Sequence, residues 1–403
     1  MRRRLPVLAA VLALLSAPAL AQHKPAAAPR AECPAEETAL KCAASATPAF
    51  TADGAVVLAW SAGGRVMVAR STDGGATLAA PVAINPAPEA IDDAGEARPV
   101  VAVDGPRVFV AYALRQDKAY SGRLMLARSL DGGRSFEPAR AIADDPTSQR
   151  FAAMGISGGR LTLAWIDKRG LAAAKRKGEA YFGAALTVAW SDDGGRTFAH
   201  QAIAEHHSCE CCRVAMTFDA QGRPLLMWRH IFAPNVRDHA LIAFTDRDHA
   251  GPLVRVAEDD WRIDACPHHG PALAVAADGS VSAAWYTAGN RRQGLFLARS
   301  VEGGKAFAAP RPIGNADNGP SHPQLLAEGT RLWLAWKEFD GDRSTVMMQS
   351  SADNGQTWTT PTIAAETKDA SDHPLLISDG KRPLLSWLSR AEGWRLIALA
   401  GGK

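Results

Sequence analysis

Short runs in which apolar residues alternate with small or polar ones recur along this chain, and each closes on an aromatic. They end at Trp60, Tyr112, Trp165, Trp228, Trp285, Trp336 and Trp387, at intervals of 52, 53, 63, 57, 51 and 51 residues. A period of two over five to eight residues is the signature of a β-strand. Seven such strands at this spacing describe repeated antiparallel sheets, each followed by a second strand such as VMVARS (66–71) or LMLARS (124–129). One unit reads in full as PALAVAADG (271–279), VSAAWYTA (281–288), LFLARS (295–300) and APRPIG (309–314), which makes four strands. Repeats of 40–60 residues with several strands each predict an all-β propeller, here of seven four-stranded blades. The seventh unit stops after WRLIALA (394–400) and lacks a fourth strand. Residues 38–46 are expected to pair there and close the ring, because an open sheet edge invites aggregation.

A second motif lies between the strands. The segments STDGGATL (71–78), SLDGGRSF (129–136), SDDGGRTF (191–198), SVEGGKAF (300–307) and SADNGQTW (351–358) are one turn written five times. AFTDRD (243–248) stands where a decayed copy belongs. In such a turn the acid accepts backbone hydrogen bonds, glycine supplies positive φ, and the closing aromatic folds back onto the strands. These turns resemble the Asp-boxes, or BNR repeats, of the sialidase superfamily, over roughly residues 45–403. The resemblance implies a propeller whose boxes sit on outer hairpins, away from the ligand-binding mouth. Sialidases have six blades, so six remains the alternative to the seven units counted here.

Composition adds an address. Arg2–Arg4 precede an apolar stretch, Leu5 to Leu20, broken by Pro6 and Pro18, and Ala19-Leu20-Ala21 supplies the small residues a signal peptidase reads. Residues 1–21 are therefore predicted to be a signal peptide and 22–44 a linker with the ring-closing segment. The protein is expected in the periplasm or outside the cell, as a monomer with no membrane span. Three of the 45 basic residues lie in that signal, which leaves 42 against 42 acidic ones. A neutral mature chain has no global field to attract nucleic acid or an anionic membrane. The expected partner is a small molecule, a glycan or a protein at the propeller mouth.

In a propeller, ligands meet the loops that lead into the innermost strands. Aligning the units on the proline before that strand gives Arg98-Pro99, His322-Pro323 and His373-Pro374, with His269-Gly270-Pro271 one residue offset. Arg150 and Arg213 take nearby positions in units three and four. Arg98, Arg150, Arg213, His322 and His373 are thus ligand-binding candidates, although loop carbonyls and carboxylates ordinarily absorb such groups. HHSCECCR (206–213) and WRIDACPHHGP (261–271) lead into consecutive units. They bring Cys209, Cys211, Cys212 and Cys266 together with His206, His207, His268 and His269. Thiolate and imidazole at that density suit copper or zinc, with two or three of the cysteines and His268 or His269 as ligands. Disulfides are the competing reading: Cys33 with Cys42, Cys266 with one member of the cluster, and the remaining two with each other.

The sialidase resemblance implies an arginine cluster for a carboxylate, a tyrosine nucleophile and acidic partners. Ala97-Arg98-Pro99 lacks the aromatic and isoleucine of that family's F/Y-R-I-P motif. Tyr286, Glu338 and Asp167 are weak catalytic candidates, each placed at or just after a core aromatic. No nucleophile elbow, phosphate loop or dinucleotide fingerprint occurs, so no nucleotide cofactor is expected. Three functions stay open: a metal-containing ligand binder, an exo-acting glycosidase for an acidic sugar, and a propeller that binds a glycan or protein without chemistry.

Overall fold

The computed structural model describes residues 33–93, 95–116 and 121–399 of the compact unit Glu32–Lys403. The predicted signal segment and residues 22–32 of the linker lie outside the described residues. Seven antiparallel sheets follow one another along the chain. Their innermost strands are Ala46–Phe50, Val100–Asp104, Gln149–Ser157, Ala215–Phe218, Ala272–Val275, Ser321–Glu328 and Leu375–Ser378. Each touches the next, and the last touches the first, so the sheets are blades of a closed seven-bladed propeller.

All seven periodic aromatics lie on second strands and are buried, none exposing more than 2 %. A blade is covered on both faces by its neighbours, so its middle strands read as almost continuous apolar runs. Val56–Ala62 and Pro224–Arg229 are buried at every residue. The fifth unit has strands Ala272–Val275, Val281–Ala288, Gln293–Ser300 and Arg311–Ile313, where the alternation places them. The second blade carries an extra short strand, Ile91–Asp92, which pairs with Leu114 and Ala113 and sets Asp92 among the mouth loops.

Ring closure differs from the expectation. Among the described residues no strand pairs with the outer edge Gly393–Ala398, and the seventh blade keeps three strands. Residues 40–42 form a 3-10 turn instead, and Ala46–Phe50 is the inner strand of the first blade. The Cys33–Cys42 disulfide and the bond from Trp60 Nε1 to the Thr38 carbonyl (2.8 Å) hold this segment on the first blade. The ring closes through side chains: Leu388 and Trp394 pack with Leu58, Trp60 and Met67, and the Ala46 amide donates to Asp372 (3.1 Å). Burial of these large apolar groups supplies the attraction that a shared strand would otherwise add.

The repeated turns join third to fourth strands. In SLDGGRSF, Ser129 Oγ donates to Asp131 (2.7 Å) and accepts from the Gly133 amide (2.8 Å), while Asp131 accepts from Ser135 N and Oγ (3.0 and 2.6 Å). The second glycine is required where the turn meets the blade. Gly195 sits at φ +75°, and a Cβ there would stand 2.6 Å from Phe109. In SVEGGKAF the Gly304 amide still reaches Ser300 Oγ (3.0 Å), although Glu302 and Ala306 replace the Asp and the hydroxyl. The serine–glycine bond is therefore the minimum of the motif.

Asp131→Ala should cost about 1–2 kcal/mol by removing several such bonds. Because the Ser135 hydroxyl and neighbouring amides hold Asp131 well below its ordinary value, this contribution is present above about pH 4 and fades on acidification. Denaturant unfolding at pH 7 and pH 3 checks both parts. A difference between variant and wild type that persists undiminished at pH 3 would contradict the account.

Candidate functional site

The loops leading into the inner strands converge on one buried carboxylate, Glu96. Its Oε2 accepts from the amides of Gly270 (2.8 Å) and Arg213 (3.1 Å), with Arg213 Nη1 at 3.8 Å. Its Oε1 lies 3.3 Å from His322 Nδ1 and 3.7 Å from His373 Nδ1. One side chain of the second blade thus ties the loops of blades four to seven. Burial alone would push the Glu96 carboxyl up, but Arg213 and the His322 contact outweigh it and hold the group down at about 2. Glu96 is ionised at neutral pH.

Around Glu96 the rings form a ladder. His373 stacks on His322 at 3.5 Å between centroids, His322 on His269 at 4.9 Å, and His269 on Tyr286 at 4.2 Å. Burial lowers all three histidines, His269 to about 3, so the ladder is neutral at physiological pH. Arg98 pairs with Asp372 at 2.5 Å, and Asp372 also accepts from the His373 amide (2.6 Å). Lys337 donates to the Ser371 carbonyl (3.0 Å), and burial lowers it to about 8. Backbone geometry marks the same loops. Phe151, His207, His268 and His322 all have positive φ. The inner strands of blades three and six each begin with a register shift, between Arg150 and Ala153 and between Ser321 and Gln324. Such strain persists only where surrounding contacts impose it, and it commonly re-aims side chains at sites.

The cysteines lie against this cluster. Cys209, Cys211 and Cys212 are buried and unbridged, with sulfurs all within 4.8 Å of one another and Cys209 to Cys211 at 3.5 Å. Cys266 is exposed and its thiol interacts with that of Cys211. Bonds from Cys211 and Cys212 hold Cys209 well below the usual thiol range against the effect of burial, and Arg229 and Arg237 assist. The same contact to Cys209 raises Cys211 and Cys212. Arg237 Nη1 is 3.6 Å from Cys209 Sγ. Arg229, 1 % exposed, donates to the carbonyls of Arg237, His269 and Tyr286, which fixes the loop carrying Cys266. Three sulfurs in one buried pocket, one of them held toward thiolate beside two guanidinium groups, are donors of the kind a soft cation takes.

Other predicted residues fall elsewhere. Arg150 pairs with Asp92 at 2.5 Å and lies over the Phe151 ring, whereas Arg98 and Arg213 share the Glu96 cluster. His268 is exposed beside Phe151, and His269 belongs to the ladder, so neither joins the set of three sulfurs. His206 bonds Tyr181 (2.8 Å), and the Phe182 amide donates to His207 (3.2 Å). Asp167 and Glu338 point into the blades. Each sits two residues beyond a core tryptophan on the same strand face, and accepts its indole N–H, at 2.8 Å from Trp165 and 2.7 Å from Trp336. Tyr286 is half-buried at the end of the ladder. Glu96 was not among the predicted residues, although it directly precedes the Ala97-Arg98-Pro99 segment. A lone glutamate carries no spacing signal.

No family profile matches the sequence, and no curated protein does. Solved structures do match in fold. An ulvan lyase of polysaccharide lyase family PL25, bound to -[GlcA(1-4)Rha3S]-, superposes with a TM-score of 0.55 at 9% identity, over 92% of this chain and 93% of that one. The polysaccharide lyase Uly1 gives 0.54 at 11% identity, over 87% and 88%. The Hadza microbial sialidase Hz136 gives 0.50 at 15% identity, over 86% and 73%. The fold is a sialidase-like propeller.

Proposed function

We propose that this is an exported propeller that holds one thiophilic metal ion, copper or zinc, at its mouth and binds a polar ligand beside it. The observation that carries the reading is the set of three buried, unbridged sulfurs within 4.8 Å, with the exposed Cys266 thiol against Cys211 outside that set. Four thiolates would satisfy tetrahedral Zn²⁺, and three would satisfy Cu⁺. Structural disulfides would leave paired sulfurs, and among the described residues only Cys33 and Cys42 are paired. Protein isolated from a periplasmic fraction under anaerobic conditions should contain one copper or zinc per chain. Four thiols should become titratable once the ion is chelated from unfolded protein. Metal-free protein with these four cysteines in disulfides would overturn the reading.

A second reading, an enzyme acting on an acidic sugar, is favoured by one further observation. Arg98 Nη1 is buried and makes no hydrogen bond, so one guanidinium donor beside the Arg213–Glu96 pair remains to meet a carboxylate. The propeller neighbours described as a sialidase and as polysaccharide lyases support the same class of ligand. A fluorogenic sialoside and a uronate-containing oligosaccharide should then be turned over, and Tyr286→Phe should lower kcat at least tenfold while leaving the melting temperature unchanged. Absence of turnover of both by folded protein between pH 4 and 9 would retire this reading.

A further inference from the structure

The third blade carries a conspicuous addition at the mouth. Sixteen residues, 168–183, join its second and third strands, against nine in the fourth blade and six or fewer elsewhere. Because strands alternate in direction, these connections emerge at the same end as the loops that lead into the inner strands. The addition begins with a helix, Arg169–Lys177, which packs on strand Ala184–Ser191 and ends at Gly178 in a left-handed cap. It is fastened to the cysteine loop at both ends. Lys168 pairs with Glu210, which lies between Cys209 and Cys211, and Tyr181 and Phe182 bond His206 and His207. Gly183 abuts the Ser208 carbonyl so closely that a Cβ would stand 2.1 Å from it.

The charge of this flap is one-sided. It holds five basic residues and one acid, Glu179. Lys168 and Arg169 are committed to Glu210 and Asp167. Lys175, Arg176 and Lys177 are exposed, and among the described residues no carboxylate lies within ion-pair distance of them. Cations in a last helical turn do complement the helix dipole. That effect does not account for the ring of Phe182, 43% exposed on the same flap.

We propose that the flap is a docking surface for an acidic polysaccharide running toward the mouth, with Lys175, Arg176 and Lys177 on its carboxylates or sulfates and Phe182 against a sugar face. The choice of occupant rests on the acidic-sugar reading above. A membrane-lying helix needs an apolar face turned outward, and here Leu171, Ala172 and Ala173 are partly buried and Ala174 buried. A nucleic-acid binder gathers a net positive charge, and outside Arg2–Arg4 this chain has as many acids as bases. A patch that is both cationic and aromatic fits a chain offering anions and apolar ring faces together.

The test measures binding of the full chain to polygalacturonate, with dextran as the neutral control and with duplex DNA and phosphatidylserine vesicles as alternative polyanions. Wild-type protein should bind polygalacturonate more tightly than the other three, and binding should weaken as salt rises. Lys175→Ala/Arg176→Ala/Lys177→Ala should weaken it at least tenfold and flatten the salt dependence. Phe182→Ala should weaken it several-fold at an unchanged salt slope. All four positions are exposed, so melting temperature should hold. Binding is read without turnover, so its loss in the triple variant and an absence of turnover under the enzymatic reading are separate outcomes. Equal affinity of the triple variant, no binding of polygalacturonate at low salt, or tighter binding of DNA or vesicles would each overturn the proposal.

Discussion

Glu96→Gln should destabilise the protein by about 3–5 kcal/mol, the cost of breaking a buried charge cluster by removing one partner. The substitution keeps the shape but leaves Arg213 without its anion at 3.8 Å, and puts a neutral amide against His322 and His373. The loops of blades four to seven should loosen together, because each is tied to this one group. The sign with pH follows from the carboxyl held at about 2. Its stabilisation is present above the ordinary glutamate value near 4.5 and is lost as pH falls toward 2, so the gap between variant and wild type should narrow over that window. Urea unfolding at pH 7 and pH 3 measures both quantities. Adding Arg213→Met to Glu96→Gln should recover part of the loss, since the stranded cation is then gone. A change below about 1 kcal/mol at pH 7 would show that Glu96 does not hold the mouth together.

Cys211→Ser with Cys266→Ser should abolish stoichiometric metal. Cys211 lies between Cys209, at 3.5 Å, and Cys266, so the pair of substitutions removes the centre and the open side of the proposed donor set. The two remaining sulfurs cannot complete a three- or four-coordinate thiolate shell. An ion present at a thousand times its dissociation constant stabilises the native state by about 4 kcal/mol. Wild-type protein should therefore melt earlier after chelation, and the variant should be indifferent to the chelator. Since ligation requires deprotonated thiols, wild-type occupancy should fall as pH is lowered. Metal content in the double variant equal to that of wild type would remove these cysteines from the site.

Most of the fold was legible because its instructions are local. The hydrogen bonds that make an Asp-box span four residues, from Ser129 to Gly133 or from Asp131 to Ser135, and the alternation that makes a strand spans two. Seven aromatics at near-constant spacing then count the blades, since each buries one large ring between neighbours. Ring closure was misread because the pattern shows a missing fourth strand but not what replaces it. Leu388 and Trp394 against Trp60 supply contact without pairing.

The site was only partly legible. Adjacent letters such as His268 and His269 look like a pair of ligands, yet one faces Phe151 and the other Tyr286. Asp167 and Glu338 resemble free carboxylates until the two-residue strand period turns them onto Trp165 and Trp336. The sequence alone determined the repeat, the turn chemistry and the crowding of cysteines in two neighbouring loops, all legible from stretches a few residues long, while the closed ring of sheets decided seven blades over six. Only the tertiary structure decided that Glu96, Arg213, Gly270, His322 and His373 meet, and that Arg150 stands apart with Asp92. The five that meet come from five blades, and closing the ring is what brings 96 and 373 within reach of each other.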